Sequence, residues 1–204
     1  MMNKSNALAG FLAIFALAGC TPAQDSANNG AAAAGETDLH GAAIGGPFTL
    51  TDQDGKPRSW TDFKGQYRLV YFGYTRCPDV CPTTLADMAA AMKALGKDAD
   101  RVQVLFVTLD PARDTRDVLS MYVPAFDPRF LGLYGDEDAT RMVAKEFKIF
   151  YEKVEGGAPG AYTVNHSAQS YVFDTQGRLR LFERHDRLGE DLPHDLKAIL
   201  KEAG

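Results

Sequence analysis

The feature that most limits what this chain can be is Cys77-Pro78-Asp79-Val80-Cys81-Pro82, set between two segments of opposite periodicity. Before it, Tyr67 to Tyr74 is rich in aromatic and branched residues and reads as a buried strand. After it, Leu85, Met88, Ala89, Met92 and Leu95 recur at helical spacing up to Gly96, a natural stop. Pro82 suits the first helical position, where a missing N–H costs nothing. Cys81 is therefore expected at a helix entrance and Cys77 in the loop before it. The positive end of the helix lowers a thiol pKa to about 3.5–7.5, so one or two thiolates are expected at neutral pH. A disulfide staple explains the pair poorly, because closing about five residues contributes only about 2 kcal/mol. Redox exchange and metal binding remain. In exchange, Cys77 attacks a disulfide and Cys81 resolves it. Thiol oxidoreductases usually separate their cysteines by two residues; here three intervene, which widens the bite on an ion.

The remaining pattern predicts an α/β domain. Phe48 to Leu50, a turn at Asp52 to Gly55, and Arg58 to Trp60 read as an N-terminal β-hairpin. Val102 to Leu109 reads as a second buried strand, Asp114 as the cap of a helix running to about Val123, and Phe130 to Tyr134 as a short strand. A helix over 136–147, a strand over 148–154, a Gly-rich loop over 155–160, a hairpin over 169–183 and a closing helix over 191–203 follow. A cysteine pair between the first long strand and its helix points to a thioredoxin-like fold, with a mixed central sheet flanked by helices.

The N-terminus reads as targeting. Lys4 precedes the small and apolar run Ala7 to Ala18, too short to span a bilayer permanently. It ends in Leu17-Ala18-Gly19-Cys20, which resembles a bacterial lipobox and implies cleavage before Cys20 and lipid on its thiol. Residues 1–19 are then a signal peptide, 20–43 a flexible tether reaching roughly 25 Å, and 44–204 the folded domain. His40 falls in the tether and is not expected to be a ligand. Thr21 stands where an aspartate usually retains lipoproteins in the inner membrane. Such a chain lies in the periplasm, an oxidising compartment. Its net charge of -5 and the lack of a basic run argue against nucleic acid.

His166 is the candidate third ligand. Thioredoxin-like oxidoreductases keep a cis-proline before the corresponding strand, but no proline occurs from Ala161 to Phe173, and His166 stands near that place. Two thiolates and an imidazole form a soft donor set suited to one copper per chain, as Cu(I) or Cu(II). Zinc accepts the same atoms.

The run Gly-Tyr-Thr-Arg-Cys-Pro-Asp-Val-Cys-Pro from Gly73, the motif Asp110-Pro111-Ala112-Arg113-Asp114-Thr115, and His166, 85 positions after Cys81, closely resemble the Sco/SenC copper-binding proteins. The resemblance spans roughly Gly45 to Ala203. It implies a copper chaperone that serves the CuA-bearing subunit of cytochrome c oxidase, with Cys77, Cys81 and His166 as ligands. It implies membrane attachment as well, though many members use a transmembrane helix where this chain has a lipobox. The competing reading is a thiol-disulfide oxidoreductase, recharged by a thioredoxin-like reductant, that keeps the oxidase cysteines reduced. A copper sensor or peroxide-stress role is a third. Asp110 is expected to orient a ligand from behind or to cap a turn. Arg113 is expected to pair with Asp114 or a docking partner, and Arg76 and Asp79 to face partners. His185 and His194 are expected to be solvated.

Overall fold

The computed structural model describes residues 42–158 and 160–202. The lipobox with Cys20 and the tether up to residue 41, with His40, lie outside these residues.

In chain order the elements are β1 (Thr49–Asp52), β2 (Pro57–Ser59), β3 (Tyr67–Gly73), α1 (Val80–Leu95), β4 (Val102–Thr108), α2 (Arg116–Tyr122), β5 (Leu131–Tyr134), α3 (Glu137–Glu146), β6 (Tyr151–Glu155), β7 (Tyr162–His166), β8 (Ser170–Phe173), β9 (Leu179–Glu183) and α4 (Leu188–Glu202). Seven strands form one mixed sheet in the order β2-β1-β5-β4-β3-β8-β9. This is the thioredoxin-like fold expected, N-terminal hairpin included.

β3 lies between β4 and β8, with all seven of its residues buried, Arg68 included, as its mostly apolar run leads one to expect. It runs parallel to β4 in register from Tyr67↔Val102 to Gly73↔Thr108. The two strands therefore end together, and the segments that follow them leave the same sheet edge. Carboxyl ends of parallel strands are where open α/β sheets place ligands. Leu85, Met88, Met92 and Leu95 of α1 face the core as their spacing predicts, while Ala89 is only half-buried. α4 packs along α1, and the Tyr67 hydroxyl donates to Ile199 O of α4 at 3.1 Å.

Several boundaries differ from expectation. α1 starts at Val80, so Cys81 lies inside its first turn and Pro82 is the third helical residue. Proline is tolerated there because the first four N–H groups of a helix have no intrahelical partner. Trp60 does not extend β2 but opens a 3-10 turn over Trp60–Phe63. Thr115, not Asp114, caps α2 by accepting from Val118 N. α4 begins at Leu188, ahead of the expected 191. The strand expected over 148–154 begins at Tyr151 and pairs antiparallel with β7, which the sequence pattern did not reveal. β6 and β7 form a two-stranded sheet separate from the main one.

Candidate metal centre

Gly73 ends β3, and the chain turns into the cysteine loop. A methyl group on Gly73 would lie 3.0 Å from Cys81 Sγ, 3.0 Å from the Phe106 ring and 3.1 Å from the Tyr71 ring. Only glycine lets the sulfur pack this close to the strand end. Cys81 is fully buried and Cys77 partly exposed, and both thiols are free. The loop is shaped by Cys77 N–H donating to Tyr74 O at 3.3 Å and Cys81 N–H donating to Cys77 Sγ at 3.4 Å.

This arrangement divides the two thiols. The Cys81 S–H donates to Cys77, and the N–H groups of Asp79 and Cys81 add to it. Together with the nearby His166 they bring Cys77 down to about 5 against the opposing effect of burial. The same sulfur-to-sulfur bond, followed by burial, pushes Cys81 up. The pair is one thiolate and one thiol, the lower bound of the sequence expectation. Local hydrogen bonds select which cysteine holds the charge.

His166 ends β7, and its Nε2 lies 3.5 Å from Cys81 Sγ. Its Nδ1 is 2.8 Å from Ser167 O. A carbonyl oxygen only accepts, so Nδ1 bears the proton and the Nε2 lone pair faces the sulfur. Burial lowers the His166 pKa, opposed by Ser167 O and the Cys77 charge, which favours the neutral imidazole that metals bind. The rings of Tyr71 and Tyr74 flank it at 6.3 and 6.0 Å. Donors bonded to one ion at about 2.0 and 2.3 Å stand about 3.5–3.7 Å apart, so the Cys81–His166 spacing matches that of two ligands of one ion. With the side chains as they stand, no group of three or more His, Cys, Asp and Glu among the described residues could hold a metal ion.

The segment after β4 touches both halves of this site. Asp114 is fully buried and accepts from Thr75 N at 2.9 Å, Thr75 Oγ1 at 2.6 Å and Thr108 Oγ1 at 2.6 Å. It thus holds the cysteine loop to the end of β4. Asp110, also fully buried, accepts from the Tyr162 hydroxyl at 2.7 Å and from Arg113 Nε. Arg113 pairs with Asp110 and not with Asp114. Its Nη1 donates to Tyr162 O at 2.8 Å, and its guanidinium lies 3.5 Å over the Tyr162 ring. The contacts of Asp110 run to the strand that carries His166, not to the imidazole. Arg76 and Asp79 are exposed beside the sulfurs, His185 is exposed, and His194 is exposed against Asp195. Tyr71, Tyr74, Thr75 and Tyr162 went unnoticed in the sequence. Only Tyr74 and Thr75, inside the cysteine motif, offered any signal.

A family model described as SCO1/SenC matches residues 36–201. ScoI of Bradyrhizobium japonicum, solved with copper bound, is 42% identical, with a TM-score of 0.71 over 76% of this chain and 99% of that one. A SCO2-like protein of Rickettsia felis is 38% identical over 159 residues, covering 78% of this chain and 76% of that protein. Mitochondrial protein SCO2 of Saccharomyces cerevisiae is 40% identical over 138 residues, 67% of this chain, and the match spans 46% of that protein, less than half its length.

Proposed function

The chain belongs to the SCO1/SenC family, and from that premise we propose that it binds one copper ion through Cys77, Cys81 and His166 and passes it to the CuA-bearing subunit of cytochrome c oxidase. The family takes part in copper binding and cytochrome oxidase assembly. The observation that carries the ligand assignment is the 3.5 Å approach of His166 Nε2 to Cys81 Sγ, with the ring's other nitrogen committed to Ser167 O. Cys77 is already a thiolate and partly exposed, so copper meets it first. Rotation of its side chain brings the ion between Cys81 and His166, and Cys81 releases its proton to solvent as it binds. Two thiolates leave bound Cu(I) with a net charge of -1. Release to a partner exchanges these ligands one at a time.

The redox state of the pair sets its capacity. Exchange with a partner disulfide passes it two electrons: the partner leaves as one thiol, carrying the proton of Cys81, and one thiolate, Cys77 and Cys81 are joined, and the site then has one ligand of three. Attachment follows from Cys20: lipidation there holds the domain in the periplasm on the tether over 20–43. No described helix is long and apolar enough to cross a membrane.

Titrating the protein with copper in its reduced and disulfide forms tests this reading. One ion per reduced chain and none per oxidised chain is expected; equal stoichiometry in both contradicts it. A thiol-disulfide exchange role has its own support in the low pKa and partial exposure of Cys77 against the buried, protonated Cys81. His166→Ala separates the two: it removes tight copper binding and leaves exchange with a small disulfide largely intact.

A further inference from the structure

We propose that Asp110 and Arg113 are positioning residues, which clamp Tyr162 and thereby set the strand bearing His166 against the cysteines. The clamp itself is independent of the copper reading, and its consequence for ligand geometry rests on that reading.

The need for a clamp follows from the topology. β6 and β7 lie outside the main sheet, and an isolated two-stranded hairpin is marginal in water. Most of its side chains are exposed, and Val164 is its one fully buried residue. The hairpin joins the rest of the chain at its Tyr151↔His166 end, while Glu155↔Tyr162 marks the other. Apart from Val164, packed in the core, and the exposed pair of Lys153 with Glu137 at 3.2 Å, the arm is held at its base, and His166 turns with it. Tyr162 fixes the free end at three points: hydroxyl to Asp110, carbonyl to Arg113, and ring face beneath the guanidinium. Asp110 and Arg113 are themselves fixed. Asp110 N–H donates to Thr108 Oγ1 at 3.0 Å, and the N–H groups of Arg113 and Asp114 donate to Asp110 O at 3.1 and 2.9 Å. Because Asp114 in the same turn grips Thr75, one short segment references both halves of the site to the end of β4.

Tyr162→Phe tests the clamp by deleting one hydroxyl while keeping the ring. Amide hydrogen exchange of the metal-free protein is the first measurement. A hydrogen bond to a buried carboxylate resists opening, so exchange across 151–155 and 162–166 should rise about tenfold while β3 and β4 stay unchanged. Arg113→Lys, which keeps the charge and loses the fork, should give the same pattern. Transfer of Cu(I) to a competing chelator is the second measurement. Tyr162→Phe should speed it severalfold in the otherwise unaltered protein and by less than twofold on a His166→Ala background, whose two thiolates still take up Cu(I) though less tightly, because the clamp acts through His166. Unchanged hairpin exchange, acceleration spread over the whole sheet, or an equal copper effect in both backgrounds would overturn the proposal. If the unaltered protein takes up no copper, the copper reading falls while the exchange pattern still decides the clamp.

Discussion

Cys77 and Cys81 hold their protons with different strength because one is the donor and the other the acceptor of the same bond. The ordinary thiol value is near 9, and Cys77 is held down at about 5. A depressed pKa means that the stability contributed by the thiolate is complete above about 9 and is lost as pH falls through about 5. Alkylation of the reduced, metal-free protein by iodoacetamide should modify Cys77 with a midpoint near pH 5 and leave Cys81 unmodified while the fold persists. A midpoint near 9 would contradict the shared proton. Gly73 gives a second prediction at this scale. Gly73→Ala pushes a methyl group into Cys81 Sγ and two rings, and overpacking of that kind costs about 1–3 kcal/mol, measurable by urea unfolding. The cysteines were legible in the sequence because their chemistry is local: spacing, a following proline and a helix entrance. Tyr162 was not, because its meaning comes from a carboxylate 52 positions away.

At the scale of elements, the strands buried on both faces were legible, and of the exposed hairpin only its first strand was. β3 and β4 announce themselves as near-continuous apolar runs, interrupted by Arg68 and Gln103. β6 exposes four of its five residues and was still read as a strand over 148–154, whereas β7 alternates over only five residues around the single buried Val164, too short a pattern to stand out. Asp114 and Thr115 are adjacent residues that are both able to cap a helix, and sequence gave no reason to prefer the second. Burial of Asp114 against Thr75 and Thr108 decided it. The junction of β1 with β5 depends on another side chain without a sequence signal. Gln53 Nε2 donates to Phe130 O at 3.2 Å and its Oε1 accepts from Gly132 N. Gln53→Ala leaves both backbone groups buried and unpaired, at about 1–3 kcal/mol each. Urea unfolding should show a lowered midpoint with an unchanged slope. A loss under 1 kcal/mol would mean that water replaces the amide.

At the scale of the molecule, the fold is what turns residues distant in sequence into one site. Cys81 and His166 are 85 positions apart. The parallel pair β3–β4 delivers the cysteine loop and the Asp110 turn to one sheet edge, and the β6–β7 arm returns His166 to the same place. In the sequence, His166 stood out through a missing proline and through resemblance, whereas its pairing with Cys81 needed three dimensions. The central claim is that all three donors share one ion. X-ray absorption at the copper edge of the copper-loaded protein measures this most directly. Two sulfurs and one imidazole nitrogen are expected in the unaltered protein, with the imidazole scattering lost in His166→Ala. A spectrum with a single sulfur, or one unchanged by His166→Ala, would contradict it.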